Sequence, residues 1–547
     1  MEAPRKHTVR WILGAVVGFA LLVAWESGRR GFMPLDHSVA FDGGWRILSG
    51  QVPWRDFGAP SFVTPSLVQA LFFGLFGVTW WSFLLHAMVA NAVFAGLVFG
   101  LARRLGLGLG VSGVLGLASS VIFYPPVGLP FADQEAFLFT FLALFVALVA
   151  RGYDGARDVE SDIGPTPRAK LLWAAVPLAL VLGFFAKQLP SALAPLPLLW
   201  ILALPSARPR REAVLGLGAG LLGLFVLGVL LGVGLDLEWQ QLRYGLFELP
   251  LGEADTRLAY LPKGGRFVKH LFLAGFHQDF LVVWFVHLGA LFATLRELGR
   301  ICSRGFFWEP WLLLLLGESL LLVDSVTMVL TSNQDGAGVP WFFVAAAPIL
   351  AALVLDTGPR MRRGCARILI LICLVDATRF ELEVNLTRSV NDMEFALESA
   401  PAASALGLDA LAPMRWQTPT RHAYSAEEMA ALVAALRERD GAFFLVGDSA
   451  VLYGLAGKPS LSPALWFHPG VSFPAPGSVA FRAWQLPLVE AIQSGEVARV
   501  VEERAGTWIG ELRLADFPRV AAAVRARGFV EEDFGAFRVL ELATLPE

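Results

Sequence analysis

Charge is what this sequence has little of. Only 17% of its 547 residues are Asp, Glu, Lys or Arg, against about 25% in soluble globular proteins. The shortfall excludes a chain that meets water over its whole surface, and the 56% hydrophobic content with a mean hydropathy of +0.59 points to many bilayer-crossing segments. A net charge of -3 leaves no basic excess, so no nucleic-acid partner is indicated. Cysteine is nearly missing: Cys302, Cys365 and Cys373 lie in or beside apolar stretches without metal-ligand spacing and read as packing residues. Lysine is scarce beside arginine, and there is neither an internal repeat nor a low-complexity segment.

What is present is a series of apolar runs, near 10–31, 83–102, 107–124, 134–150, 171–187, 190–205, 213–235, 279–295, 306–330, 340–356 and 366–379. These predict about eleven transmembrane helices, several shorter than the usual ~20 residues. Arg5, Lys6 and Arg10 before Trp11–Trp25 imitate a signal peptide, but "AWESG" has no small-x-small cleavage site. A retained anchor whose helix continues toward Phe32 is therefore expected. Arg103, Arg104, the stretch 151–170, Arg208, Arg210, Arg211, Arg296, Arg300, Arg304, Arg360, Arg362, Arg363 and Arg367 fall on alternate loops. The positive-inside rule makes those loops and the N-terminus cytoplasmic in an inner (plasma) membrane. The segment after the first span, Asp133, Lys187, the loop 236–278 and everything after about Arg379 then face outward. That outer loop is unusual in carrying Arg243, Arg257, Lys263, Arg266 and Lys269, cations suited to holding a phosphate.

Two domains follow: a membrane domain over 1–379 and a soluble extracytoplasmic domain over 380–547. In the latter, "SAEEMAALVAALRERDG" predicts a helix opened by a Ser cap with Glu three residues on and closed by Gly. "AFFLVGD" and "FGAFRVLEL" read as strands and "FPRVAAAVRARG" as a second helix, an α/β or α+β pattern.

The longest polar passage of the first quarter is "PLDHSVAFDGGWRILSGQVPWRDFGAPS". Phe41, Trp45 and Leu48 recur at helical spacing, with Asp42, Arg46 and Ser49 on the other face. This predicts a short amphipathic helix along the outer membrane surface, followed by a second interfacial segment over Pro65–Trp81. Trp45, Trp54, Trp80 and Trp81 suit headgroup depth. Asp36 precedes the first helix, where it reads either as an N-cap or as a carboxylate at the mouth of a membrane cavity.

An outward Asp after the first span, followed by "GWRILSGQVPWRDF", resembles the first outer-loop pattern of glycosyltransferases of the GT-C fold, among them protein O-mannosyltransferases and lipid A aminoarabinose transferases. "FFAKQLPSAL" is similar to a Lys-Gln segment of bacterial members, and "PPVGLPFADQEAFLF" to their acidic second outer loop. The resemblance spans roughly residues 10–380. It departs at His37, where the family often has Glu after the Asp. The resemblance implies a GT-C-like membrane domain and sugar transfer in one inverting step. The donor would be a polyprenyl-phosphate-linked sugar and the acceptor an extracytoplasmic lipid, glycan or protein. Asp36 would be the general base. Asp133 or Glu135 would be a second acid, orienting the acceptor or binding a divalent cation, Mg2+ or Mn2+. Lys187, Arg243, Arg257, Lys263, Arg266 and Lys269 would hold the donor phosphate. Plainer roles stand beside these: acids in a first helical turn for Asp133 and Glu135, a snorkelling lysine for Lys187, and solvated loop charges for the rest.

Arg55 and Asp56 read as a pair that shapes their loop. Glu318 and Asp324, six residues apart on one span, fall on different helix faces and do not make a shared site. His270 and His277 lack further ligands for zinc. "GDSAVLYG" places Asp448 and Ser449 in a turn after a strand, without the G-x-S-x-G elbow of a nucleophile. Two other functions remain open: a transporter or flippase of lipid-linked saccharides, for which the expected repeats are missing, and a non-catalytic envelope assembly protein.

Overall fold

The computed structural model describes residues 6–153, 167–206, 209–248, 281–296, 309–330, 341–355, 359–386, 403–418 and 424–545. The apolar runs become helices: α1 (Lys6–Gly28), α2 (Pro34–Leu48), α3 (Val63–Phe76), α4 (Trp80–Arg104), α5 (Leu109–Ile122), α6 (Ala132–Arg151), α7 (Pro167–Ala186), α8 (Gln188–Ser191), α9 (Pro195–Ala203) and α10 (Arg210–Gly234). Further helices cover Leu281–Arg296, Glu309–Leu330, Trp341–Leu355 and Pro359–Phe380. Among the described residues, α1, α4, α6, α7 and α10 are the five long and apolar enough to cross a membrane, and the chain is an integral membrane protein. The first span ends at Gly28 rather than running on to Phe32.

The bundle uses the devices of helices in lipid. The buried Asn91 amide of α4 donates to the carbonyls of Ala20 and Ser120, both at 2.9 Å, and so joins α1, α4 and α5. Gly216 and Gly220 let α10 approach α7 closely: a Cβ at Gly216 would lie 2.5 Å from that of Trp173, and one at Gly220 would lie 2.4 Å from the carbonyl oxygen of Ala174. The opposite side of α10, with Leu222, Phe225, Leu230 and Val233 exposed, is left for lipid. Cys373 is buried and Cys365 partly so, as packing residues should be, while Cys302 lies outside the described residues.

The C-terminal unit is a four-stranded sheet in the order β1-β2-β4-β3, formed by β1 (Ala442–Val446), β2 (Val497–Glu503), β3 (Phe529–Phe534) and β4 (Phe537–Leu542). β1 and β2 are parallel, and the other pairs are antiparallel. The helix Ala426–Glu438 opens with the expected capping box: the Glu428 N–H donates to the Ser425 hydroxyl, and the Ser425 N–H donates to the Glu428 carboxylate.

The polar passage departs from its expected place on the membrane surface. Both faces of α2 are covered, with Phe41 and Asp42 at 0% exposure and Arg46 at 1%. One side packs on α3, where Gly43 and Gly44 sit against Ser66 and Gln69. The other side packs on the C-terminal unit. Arg46 donates from Nε to Asp42 at 2.7 Å and from Nη1 to the Ser462 carbonyl at 2.8 Å, with its guanidinium 4.9 Å from the Phe57 ring centroid. Trp45 Nε1 donates to the Lys458 carbonyl, and Gln51 Nε2 to that of Ser460. The backbone joins in: Gly58 N–H donates to Pro463, and Leu465 N–H to Gly58. The amphipathic pattern is therefore real, but Asp42 and Arg46 of its polar face meet protein groups instead of water, and Ser49 at the helix end is the one that stays exposed. Trp80 likewise is fully buried and donates to the Gly28 carbonyl, which leaves Trp81 as the exposed ring of that pair. α3 does present an apolar outer side, Leu67, Leu71, Leu75 and Phe76.

Burial pushes the Asp42 carboxyl up against the opposing pull of Arg46. Removing one member of a buried pair strands the other, at about 3–5 kcal/mol, whereas replacing both with apolar groups is close to neutral. Asp42→Ala should therefore lower the detergent melting temperature more than Asp42→Ala combined with Arg46→Met, and should expose residues 424–545 to protease. A double variant less stable than the single one would refute this account of the junction.

Candidate functional site

The site is built on helix ends. Met33, in an extended conformation, is the N-cap residue of α2, and Pro34 occupies the first helical position, where its missing N–H costs nothing. The helix thus begins earlier than expected, and Asp36 lies in its first turn instead of capping it. Its carboxylate is half-buried at the end where the helix dipole favours an anion. No side chain caps the helix, and His37 instead reaches back to the N-cap residue. Its Nδ1 accepts the Met33 N–H at 3.1 Å, which leaves Nε2 to donate to the Val127 carbonyl at 3.3 Å. The imidazole is 1% exposed and edge-on to Trp80. The residue after Asp36 is therefore a pin between α2 and the loop before α6, with both ring nitrogens engaged by backbone.

α6 starts with three consecutive buried polar side chains, Asp133, Gln134 and Glu135. Residues two apart on a helix point about 200° apart, and the structure separates the two acids accordingly. Asp133 Oδ1 is ion-paired with Lys187 Nζ. Lys187 stands in an extended conformation at the break between α7 and α8. Glu135 Oε1 instead faces His86 Nε2 of α4 at 2.8 Å. His86 Nδ1 lies 3.1 Å from Gln69 Oε1 of α3, and its ring stacks on Phe72 at 5.2 Å. Asp133 and Glu135 thus belong to different neighbourhoods, and Asp133 is the one with the cation. Between them, both amide atoms of Gln134 are buried without a partner among the described residues.

The loop from Val52 to Phe62 closes the third side. Trp54 and Phe62 have φ of 66° and 69°, a region that bulky side chains occupy at a cost of about 1–3 kcal/mol. Hydrogen bonds hold them there: Trp54 Nε1 to the Ala59 carbonyl, Phe62 N–H to the Ala186 carbonyl beside Lys187, and Gln188 Nε2 to the Pro60 carbonyl. Arg55 and Asp56 form an ion pair at 2.8 Å, and Asp56 accepts the Val52 N–H, so the pair shapes the loop. The Phe62 ring packs against Phe131, two residues before Asp133, at 5.5 Å, and against Trp466 of the C-terminal unit at 5.6 Å. A cavity between α2 and that unit is lined by Leu35, Val39, Arg46, Asp448 and Trp466 among others.

Of the residues expected at the site, Asp133 and Lys187 are in direct contact, and Asp36 lies on the adjoining helix end, tied across by the His37–Val127 bond. Glu135 turns away. Arg243 is exposed and paired with Glu248 at 2.7 Å. Arg257, Lys263, Arg266 and Lys269 lie outside the described residues, as do His270 and His277, and nothing is shown of the Asp324 side chain. Among the described residues no group of three His, Cys, Asp or Glu side chains is placed to hold a metal ion, and the expected acids face an ammonium and an imidazole. Ser449 is fully buried, with its hydroxyl on that of Tyr424 at 2.8 Å, which fits the turn and not a nucleophile. Sequence reading passed over His86, although a histidine inside the apolar run "WWSFLLHAMVAN" is itself a signal that a buried partner exists.

No protein-family model matches the chain, and no curated protein matches it either. Solved structures do. ArnT from Cupriavidus metallidurans bound to undecaprenyl phosphate aligns with a TM-score of 0.54 at 13% identity, over 96% of this chain and 97% of that one. The same protein in its apo state gives 0.52 at 12% identity, over 98% of each chain. The chain has the GT-C fold, as the motif resemblance implied.

The Glu135–His86 contact predicts an order among variants. Glu135→Gln keeps an acceptor for the imidazole, whereas Glu135→Leu leaves a buried nitrogen unsatisfied at about 1–3 kcal/mol. Thermal melts should show Leu clearly below Gln; equal melting would mean that the hydrogen bond contributes nothing.

Proposed function

We propose that the protein is an inverting glycosyltransferase that moves a sugar from a polyprenyl-phosphate donor to an extracytoplasmic acceptor, with Asp36 as the general base. The observation that supports this reading is the Asp133–Lys187 pair at the start of α6 of a GT-C bundle, with the α2 end that carries a half-buried Asp36 tied to the loop before α6 through the His37–Val127 bond. The arginine-rich loops support placing that end, the loop 236–278 and the C-terminal unit outside an inner membrane whose cytoplasmic side holds the N-terminus. Nucleotide sugars are confined to the cytoplasm, so a transferase acting on the outer side needs a lipid-borne donor.

In the proposed step Asp36 takes the proton of an acceptor hydroxyl. The oxygen attacks the anomeric carbon from the side opposite the phosphate. The bond from that carbon to the phosphate oxygen breaks, and the lipid phosphate leaves as an anion. Lys187 supplies its countercharge, exchanging Asp133 for phosphate, and Asp133 is freed to orient the acceptor. Arg243 and the cations of the 257–269 segment are further phosphate ligands in this scheme. No step is assigned to a divalent cation.

A positioned general base contributes about 10²–10⁴-fold. Asp36→Asn should therefore reduce sugar transfer in proteoliposomes by at least roughly 10²-fold, with melting temperature and polyprenyl-phosphate binding unchanged. Full activity in this variant would reject Asp36 as the base.

A further inference from the structure

The first span ends in a cluster of cations that the candidate site does not use. Arg29 and Arg30 both pair with the Glu26 carboxylate one turn earlier, each at 2.6 Å. The segment that follows is stitched to the C-terminal unit. The Arg415 N–H donates to the Arg29 carbonyl at 2.7 Å, the Gly31 N–H to the Arg415 carbonyl at 3.1 Å, and the Phe32 N–H to the Gln417 carbonyl at 2.7 Å. Arg30 and Arg415 are thereby partners in a parallel bridge, a placement that sends both side chains to the same side of the ribbon. Like charges set opposite one another are unfavourable. Arg30 shares its carboxylate with Arg29, and the exposed Arg415 has no ion-pair partner among the described residues. Arg29 Nε is buried without a hydrogen-bond partner.

The cluster sits at headgroup depth. α1 has 23 residues, about 34 Å at 1.5 Å each, so its last turn reaches the edge of a hydrocarbon core of roughly 30 Å. Trp25 and Trp81 mark that edge: their rings meet edge-to-face at 5.2 Å, Trp81 is exposed, and the Arg29 guanidinium lies 6.0 Å from the Trp25 centroid. On the orientation proposed above this is the outer surface, where the positive-inside rule leaves arginines scarce. An excess of cations there is a cost that the junction alone does not require.

We propose that Arg29, Arg30 and Arg415 form a docking site for the headgroup of an anionic phospholipid, with Trp25 and Trp81 against its glycerol region. The planar fork of arginine takes phosphate oxygens in pairs. The single negative charge of a phosphodiester offsets the repulsion across the Arg30–Arg415 bridge and leaves Glu26 in place. The flanking indoles and the position at the end of a span favour a lipid over a free phosphate. A lipid held there ties α1 to the C-terminal unit three residues before Met33, the N-cap of α2. The site is independent of the donor reading, because neither Asp36 nor Lys187 belongs to it.

Native mass spectrometry of the detergent-solubilised full chain tests this, with phosphatidylglycerol as the anionic lipid and phosphatidylcholine as the zwitterionic reference. Wild type should hold phosphatidylglycerol more tightly than phosphatidylcholine. Arg415→Gln alters an exposed side chain and strands no partner. It should weaken phosphatidylglycerol about fivefold, the size of one arginine at an anionic surface, with phosphatidylcholine binding and melting temperature unchanged. Arg211→Gln, which removes the same charge from an exposed arginine at the start of α10, should leave phosphatidylglycerol binding as it was. Glu26→Gln removes the competing carboxylate and should tighten it, whereas a purely structural cluster gives loss or no change. Equal weakening by Arg415→Gln and Arg211→Gln would reduce the effect to the general attraction of a basic surface and overturn the proposal. So would a wild type that does not prefer phosphatidylglycerol, a Glu26→Gln variant that fails to tighten it, or displacement of the lipid by an equal concentration of inorganic phosphate.

Discussion

The guanidinium of Arg46, sealed between Asp42, the carbonyls of Ser462 and Ala464, and the face of Phe57, is the contact on which the arrangement of this molecule turns. α2 is a short helix between two connecting segments, and a helix of its length would have little stability alone. Its position is imposed from outside, by α3 below and by residues 458–465 above. A buried ion pair is poor evidence of net stabilisation, but it is demanding about geometry: five guanidinium donors in a rigid fork accept only one placement of the opposing carbonyls. Register between α2 and the C-terminal unit is thereby specified, and with it the direction of the first turn that carries Asp36.

The same reasoning explains why the C-terminal unit is part of the site's construction. The loop 52–62 is bonded to the α7–α8 break at Ala186 and Gln188, and to the C-terminal unit at Pro463 and Leu465. Two bulky residues with positive φ persist in it because bonds at both ends over-determine their conformation. Pulling either anchor away would let Phe62 relax, and Phe62 touches both Phe131 and Trp466. The membrane helices, the loop and the sheet unit are thus mechanically one piece around this end of the bundle.

How much of this was legible in the residues varies by the range of the interaction. Local signals were sufficient for the apolar helices, for the Ser425–Glu428 box, for β1 and β4, and for the Arg55–Asp56 pair, because each depends on neighbours a few positions apart. β2 and β3 carry no such local signal; "VEED" in β3 is acidic and mostly exposed, and it is a strand because β4 offers a complete antiparallel partner. For α2 the periodicity was read correctly and the environment was not. A polar face facing solvent and one facing buried carbonyls have the same spacing, and the carbonyls that satisfy Arg46 come from more than four hundred positions away. The division between Asp133 and Glu135 follows from helix geometry alone and could have been drawn; which acid meets the lysine could not, since that depends on how α7 packs.

The signs of the buried charges agree with the backbone that surrounds them. Asp36 lies in the first turn of α2, and Asp133 and Glu135 lie in the first turn of α6, where unpaired N–H groups amount to about half a positive charge. Lys187 follows the last residue of α7, at the end that carries the matching negative potential. The Asp133–Lys187 pair therefore joins a helix start to a helix end, with each ion favoured by its own helix as well as by its partner. That fixed background is what permits several ionisable groups to stay at one end of an otherwise apolar bundle. In the proposed scheme, a phosphate arriving at Lys187 would not have to create its binding field, only to exchange with a carboxylate that the α6 N-terminus would still stabilise.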